Sequence, residues 1–176
     1  SFGTLRLSQQ FGNRRALEAQ ERTLGAEHPD TLGSVNDLAN CLREMGQLKD
    51  AEVLYRRALK AQERTLGAEH PSTLGSVNNL ANCFRARGQL KDAEVLYRRA
   101  LEAQQRTLGA EHPHTLCSVN SLATCLGQTG RLKNAEVLYR AVEAQERTLG
   151  AEHPDTLVHI CSTGEPWRPV SAPSVP

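Results

Sequence analysis

Asparagine and arginine recur in this chain at spacings that place them on one face of a helix. Asn36, Asn40 and Arg43 form one such set, and the same residue types return 42 residues later. An asparagine amide donates and accepts hydrogen bonds, which matches the N–H and C=O groups of an extended peptide. A guanidinium adds a planar donor fork suited to a carboxylate. The pattern predicts binding of an extended, acidic peptide, and the candidate residues are Asn36, Asn40, Arg43, Asn78, Asn79, Asn82, Arg85 and Asn120.

The alternative interpretation is that these polar residues are solvated and were copied when a repeat was duplicated. Asparagine costs a helix about half a kcal/mol relative to alanine, so several asparagines within one helix oppose its local stability. In the third copy of the pattern, Thr124 and Gly127 replace an asparagine and an arginine, which weakens the pattern there. Both interpretations stay open at this point.

Histidine and cysteine could also do chemistry, as metal ligands or redox groups. Glu27 and His28 are neighbours in a recurring GAEHP sequence, but adjacent side chains diverge and the next such pair is a whole repeat away. We therefore expect these imidazoles to form hydrogen bonds near helix ends. Cys41, Cys83 and Cys125 also recur once per repeat, without a CxxC pair. Small, buried, reduced thiols are the favoured interpretation, and a redox or metal role is the alternative.

Several classes of function have no support in the sequence. It contains no glycine-rich phosphate loop, no GxSxG and no HExxH, so no enzyme and no cofactor are predicted. Lys plus Arg total 21 against 20 for Asp plus Glu, and the charges are interspersed, which does not indicate nucleic-acid binding. No apolar run reaches the roughly 18 residues of a membrane span, and no targeting segment is evident. A soluble, cytoplasmic protein is expected.

The elements that position these residues follow from an internal repeat. The GAEHP histidines lie at intervals of 42, 42 and 41 residues, at His28, His70, His112 and His153. Within each unit, apolar residues recur at helical spacing before and after a central glycine, which predicts two short-linked antiparallel helices. In the first unit these residues are Val35, Leu38, Ala39, Leu42, Gly46, Leu48, Ala51, Tyr55, Ala58 and Leu59. Because a single hairpin leaves apolar surface open, the hairpins must stack into an all-α solenoid.

These residues carry a resemblance to the tetratricopeptide repeat family. The sequence from Val35 to Leu42, followed by Ala51, Tyr55 and Ala58, is similar to that family's alternation of large, small and aromatic positions. The 42-residue unit and the Val-Asn-Asn-Leu-Ala sequence at 77–81 resemble the repeats of kinesin light chain, and also nephrocystin-like and NTPase-coupled repeat proteins. The resemblance implies a superhelix whose first helices line a concave, peptide-binding side, where first-helix asparagines contact the peptide.

The repeat also defines expected boundaries. The segment before Arg14 does not fit the repeat, so the array is expected to begin within a second helix. After residue 161 the sequence is rich in Gly, Pro and Ser, and we expect disorder there. The predicted organisation is a non-repeat segment 1–13, an array over 14–161, and a tail over 162–176. The array comprises a partial second helix 14–24, repeats 25–66, 67–108 and 109–149, and a partial first helix 150–161.

The third repeat lacks one residue near Arg140. One deletion rotates the following side chains by about 100° on a helix, which puts Glu143 where the second repeat has the apolar Leu101. We therefore expect the turns from Val142 to Leu149 to pack poorly or to distort. A capping helix is not evident at either end, so end-to-end self-association is also expected.

The function predicted from these observations is a protein interaction module that holds an extended, acidic peptide in its concave groove. The alternative is a regulatory or sensor array from a larger, NTPase-coupled signalling protein. A degenerate gene product is a third interpretation, favoured by the missing residue. The identity of the partner and any association with a kinesin motor do not follow from the sequence.

Overall fold

A computed structural model describes the backbone of residues 2–149 and the side chains of residues 11–142. These residues form α-helices and no strands, which confirms the all-α prediction. The predictions for residues 150–176, a partial helix followed by a disordered tail, lie outside the described residues. The helices are α1 (Phe2–Thr23), α2 (Pro29–Glu44), α3 (Leu48–Thr65), α4 (Pro71–Ala86), α5 (Leu90–Thr107), α6 (Pro113–Gln128) and α7 (Leu132–Leu149).

The helices stack as a solenoid of hairpins, with α2–α3, α4–α5 and α6–α7 as the three full pairs. Each helix packs against the next one in the chain. The first helices α2, α4 and α6 also contact the first helix of the neighbouring hairpin, whereas no two second helices among the described seven do so. The array therefore curves with its first helices on the inside. We call the surface formed by α2, α4 and α6 the inner face.

Histidine, proline and glycine determine where the helices begin and end. The imidazole Nδ1 atoms of His28, His70 and His112 each accept a hydrogen bond from the backbone N–H two residues further on, at 3.3, 3.1 and 3.2 Å. Proline follows each histidine at the first helical position, where its missing N–H costs nothing. The prediction that the imidazoles bond near helix ends is confirmed.

Glycine allows the sharp turn within each hairpin and ends the second helices. Gly46, between α2 and α3, has φ of +77°, and Gly67, after α3, has φ of +94°. A side chain at either position would strain the backbone, whereas glycine adopts such angles freely. The two helices of a hairpin therefore pack directly against each other across a very short link.

The core forms between hairpins as well as within them. Tyr55 and Tyr97 are fully buried, and so are Val35 and Val77 on the first helices. Alanines with no exposed surface, such as Ala58, lie where helix backbones approach closely. The apolar stripes read from the sequence are the buried faces of the structure.

Acidic and basic side chains bridge neighbouring hairpins at the edge of this core. The Glu52 carboxylate, whose side chain is 8% exposed, pairs with Arg56 of its own helix at 2.5 Å and with Arg87 of the next hairpin. Glu94 repeats the arrangement with Arg98 and Arg131. Hydrogen bonds and charge from Arg131 and then Arg98 hold the pKa of Glu94 below its usual value, although burial acts in the opposite direction. These clusters couple each repeat to the next.

Two features differ from the sequence analysis. Helix α1 begins at Phe2 and not near residue 13, because the loss of the repeat pattern before Arg14 does not stop the backbone from continuing as a helix. Helix α7 runs without interruption to Leu149, so the missing residue does not break it. Val142 is buried at 3% exposure, in the place that Ala100 occupies in the second repeat. The expected packing defect at Glu143 concerns a side chain outside those described.

Replacement of a capping histidine should destabilise the array. We expect His70→Ala to lower the free energy of unfolding by about 1 kcal/mol, because one N–H at the start of α4 loses its acceptor. His70→Asn should retain most of the stability, since asparagine is a preferred N-cap residue. Urea unfolding followed by circular dichroism measures both, and equal stability of His70→Ala and the wild type would contradict the capping role.

Candidate functional site

The eight residues predicted to bind peptide all lie on the three inner helices. Each of them is half-buried, so each has a surface that faces away from the core. Helix α2 carries Asn36, Asn40 and Arg43; α4 carries Asn78, Asn79, Asn82 and Arg85; and α6 carries Asn120. The fold therefore brings the predicted residues to one surface, and their bonding there differs from one position to the next.

Asn40 and Asn82 form hydrogen bonds inside their own hairpins. The hydroxyl groups of Tyr55 and Tyr97 donate to the Oδ1 atoms of Asn40 and Asn82, both at 2.6 Å. Burial raises the pKa of both tyrosines to about 12, despite neighbouring arginines that act to lower it. Because a buried hydroxyl needs an acceptor, these two asparagines are required by the core.

Asn36 and Asn78 form hydrogen bonds between hairpins. Their Nδ2 atoms donate to the hydroxyls of Ser76 and Ser118, at 2.8 and 2.7 Å, each on the next inner helix. The Oδ1 atoms of both asparagines are buried and have no hydrogen-bond partner among the described residues. Each amide thus holds the stack together with its donor, while its acceptor remains unused.

Four of the inner-face asparagines therefore have a structural role, because they form hydrogen bonds within the array. The internal bonds explain why a poor helix former stands within α2 and α4. They also mean that removal of Asn40 or Asn82 would weaken the fold together with any binding. Asn79 and Asn120 are exceptions. Neither forms such an internal side-chain hydrogen bond among the described residues.

Arg43 and Arg85 differ from the other arginines of the repeats. Nine other arginines each form an ion pair with a glutamate, and they are Arg56, Arg57, Arg64, Arg87, Arg98, Arg99, Arg106, Arg131 and Arg140. Neither Arg43 nor Arg85 has a carboxylate partner among the described side chains. The Nε atom of Arg85 is buried without any hydrogen-bond acceptor in that part of the chain. The first two repeats thus each place on the inner face one guanidinium group that no described carboxylate neutralises.

The tyrosines help to position these two arginines. Hydrogen bonding and charge from Arg43 at the Tyr55 hydroxyl, and from Arg85 at Tyr97, act to lower the tyrosine pKa against the larger effect of burial. A guanidinium held beside a buried ring loses less side-chain entropy when it binds an anion than a free one. The positions are suited to a carboxylate.

A cavity of about 260 Å³ opens on the inner face between α2 and α4, above the last turns of α3. We call it the first-junction cavity. Its lining includes Gly33, Asn36, Gln62, Gly75, Ser76 and Asn79. The sequence analysis missed Gln62 and Ser76. The sequence could have indicated Gln62, because glutamine recurs at the same place in three second helices, within an otherwise apolar face. These positions are Gln20, Gln62 and Gln104.

The described cysteines and histidines do not form a reactive cluster. Cys83 and Cys125 are fully buried, and their thiols donate to the carbonyl oxygens of Leu48 and Leu90 at 3.3 and 3.4 Å. Burial raises the pKa of both thiols. The predicted burial of the recurring cysteines is confirmed, and their reduced state stays a prediction. Among the described residues, no group of three or more His, Cys, Asp or Glu side chains is placed to hold a metal ion.

None of the described helices combines the length and the apolar character that a membrane crossing demands.

The Tyr97 hydroxyl gives a test of internal bonding by asparagine. We expect Asn82→Ala to destabilise the array by about 1–3 kcal/mol, since the buried Tyr97 hydroxyl loses its acceptor. Tyr97→Phe combined with Asn82→Ala should cost less than the sum of the single changes, because no donor is then left unpaired. The free energies come from urea unfolding, and additive effects in the double variant would argue against the bond.

The thiols should differ in reactivity according to their burial. We expect iodoacetamide to modify the half-exposed Cys117 before Cys83 and Cys125, whose raised pKa and burial reduce the reactive thiolate. Peptide mapping by mass spectrometry measures the rate at each site. In urea the three rates should converge, and equal rates in the native protein would contradict the described burial.

The chain is similar to known repeat proteins over most of its length. The tetratricopeptide repeat family matches residues 13–64, 33–100 and 73–142. No curated protein sequence matches the chain. Two crystal structures of a Podosopora anserina putative kinesin light chain with nearly identical TPR-like repeats, one of them a single-substitution variant, are 31% identical to it. The match covers 83% of this chain and 69% of theirs, with TM-scores of 0.72 for the variant and 0.69 for the other.

A third structure, BtubC (BKLC) from P. vanneervenii, shares the fold at 19% identity and a TM-score of 0.75, over 96% of this chain and 63% of that one. The three overlapping family matches span residues 13–142 without a gap, and the stacked hairpins agree with them. The chain therefore belongs to the tetratricopeptide repeat family.

Proposed function

We propose that this array binds an extended, acidic peptide segment of another protein on its inner face. Tetratricopeptide repeats generally mediate protein–protein interaction, and stacked repeats offer an extended concave surface for it. The acidic preference rests on Arg43 and Arg85. Both are half-exposed on the inner face, and neither has a carboxylate partner among the described side chains. An acidic segment would supply the missing partners.

Arg85 gives the sharpest support for a negatively charged ligand. Its buried Nε–H has no acceptor among the described residues, and an unpaired buried donor on a charged group destabilises the free protein. A ligand carboxylate could accept from this group, and the planar guanidinium favours two parallel hydrogen bonds to it. Binding would thus remove an unfavourable feature of the free array.

The first two repeats form the proposed centre of the site. The third repeat has Gly127 and Thr124 where the others have arginine and asparagine, and Thr124 lies 3.1 Å from the Tyr139 hydroxyl, in the role that Asn40 has in the first repeat. The internal bond is thus preserved in the third repeat while the cation is not. Asn79 and the free Oδ1 atoms of Asn36 and Asn78 offer hydrogen bonds to the ligand backbone in the centre.

In this proposal the protein is a cytoplasmic adaptor. It acts by binding a peptide segment of another protein and needs no cofactor or catalytic group. The buried, reduced thiols suit a reducing compartment. The putative kinesin light chain of similar structure is consistent with an interaction role, and association with a motor is not part of the proposal.

The arginine variants test this function. We expect wild-type protein to select acidic members of a pooled library of short fluorescent peptides. Arg43→Gln or Arg85→Gln should weaken the tightest acidic peptide about tenfold or more, which corresponds to a charge-assisted hydrogen bond of about 1.5–3 kcal/mol. Fluorescence anisotropy gives the dissociation constants.

Arg64→Gln is the matched control, because it removes the same charge from an exposed ion pair with Glu27 that contributes little to stability. It should leave peptide affinity unchanged. A wild-type protein without preference for acidic peptides, or arginine variants that retain that preference, would count against the proposal.

A further inference from the structure

Two of the three glycines within the inner helices stand at the same place in successive repeats, and the described residues give no structural reason for either of them. Gly33 lies in α2 and Gly75 in α4, both with ordinary helical backbone angles. A Cβ atom added at either position would meet nothing within 4 Å. Alanine would stabilise a helix at such a place, because glycine loses more backbone freedom on folding. The space above these glycines is therefore left open at a cost to helix stability.

Both glycines line the first-junction cavity, and so do two residues, Gln62 and Asn36, whose buried carbonyl oxygens have no hydrogen-bond partner among the described residues. Gln62 is 4% exposed, and its Oε1 atom has no hydrogen-bond partner among the described residues. The Oδ1 atom of Asn36, which also lines the cavity, is in the same state. An unsatisfied buried carbonyl destabilises the free protein, and a donor brought by a ligand would reverse that effect.

The next junction, between α4 and α6, keeps Gly75 and an Asn78 Oδ1 atom without a partner among the described residues, but it differs from the first junction in two of these features. Cys117 stands on α6 where Gly33 and Gly75 stand on α2 and α4. Gln104, the equivalent of Gln62, accepts a hydrogen bond from the Ser118 hydroxyl at 2.5 Å. One junction thus has glycines on both inner helices and a free acceptor, whereas its neighbour has a side chain and a satisfied glutamine. The contrast identifies the first junction as the distinctive one.

We propose that the main chain of the bound segment makes its closest approach to the array at the first-junction cavity. Its backbone lies against the α-carbons of Gly33 and Gly75. One of its N–H groups donates to the carbonyl of Gln62 or Asn36, and the amide turns toward the cavity to accept it, because both oxygens are buried in the free protein. This inference rests on the proposed function and adds a second kind of recognition to it. Carbonyl oxygens accept hydrogen bonds from an N–H group and not from a carboxylate. The cavity therefore recognises the backbone of the ligand, whereas Arg43 and Arg85 recognise its negative charge.

A consequence for the ligand is that the residue above the cavity must carry a free backbone N–H. Proline has none, and N-methylation removes the donor from any other residue. The ligand class is therefore an extended acidic segment that excludes proline at one position. Asn79, on the lining of the cavity, offers its amide to the adjacent peptide group.

The decisive experiment compares three glycine variants whose effects on stability and on binding should separate. Gly33→Ala and Gly75→Ala are expected to raise the urea midpoint, because each change favours the helix and meets no obstacle. Both should weaken the tightest peptide of the pooled library at least about fivefold, since the new methyl group holds the ligand backbone away from its acceptor. The loss should be equal for that peptide and for a version with its acidic residues changed to amides.

Gly12→Ala is the matched control, because Gly12 lies in α1, away from the inner face, and also has open space around it. It should raise the urea midpoint and leave binding unchanged. The second arm is an N-methyl scan of the same peptide, in which one position should lose affinity far more than the others.

The outcomes distinguish the two proposals. If Arg43→Gln and Arg85→Gln abolish the acidic preference while the two glycine variants bind as tightly as wild type, the main-chain site is wrong and the proposed function stands. A flat N-methyl scan would overturn the site in the same way. If the wild-type array binds no peptide of the library, both proposals are overturned.

Discussion

The stacking of one hairpin on the next is the constraint on which this structure depends, because a single pair of helices leaves an apolar face open to water. Tyr55 and Tyr97 fill the interior of successive hairpins and are fully buried. A buried phenol needs a hydrogen-bond acceptor, and the nearest position that can supply one is on the inner helix, at Asn40 or Asn82. The polar surface of the inner face is therefore partly determined by the core beneath it.

Under the proposed function, this arrangement would link binding to stability. Asn36 and Asn78 join consecutive inner helices through serine hydroxyls, so a ligand that contacts these amides contacts the bonds that hold the repeats together. In a solenoid, each repeat is stabilised mainly by its neighbours, and a ligand that spans two repeats stabilises their interface. Gly33 and Gly75 are separate from this network, whereas Arg43 and Arg85 form hydrogen bonds to the buried Tyr55 and Tyr97.

The third repeat shows which features the fold requires. It keeps the capping His112, the tyrosine at the packing position and a hydroxyl beside that tyrosine. It lacks the inner arginine, and Cys117 replaces an inner glycine. The ion pair between Glu63 and Arg99 is also absent from this repeat, since Gln105 and Ala141 occupy the equivalent places. Both members of the pair have changed together, so no glutamate is left without its arginine.

Sequence alone determined the hairpins, the helix caps, the buried cysteines and the surface on which the polar residues lie. These features depend on local spacing, and helical periodicity fixes which residues share a face. The start of α1 was missed, because a helix continues wherever backbone hydrogen bonds continue, even after the repeat pattern is lost. The tertiary structure decided the rest. Which arginines have glutamate partners, which asparagines bond to tyrosine or serine, and whether Gln62 has a partner all depend on contacts between residues some 15 to 40 positions apart. Such contacts arise only when the two helices of a hairpin pack together or one hairpin stacks on the next, since the spacing of residues along one helix carries no information about the neighbour's side chains.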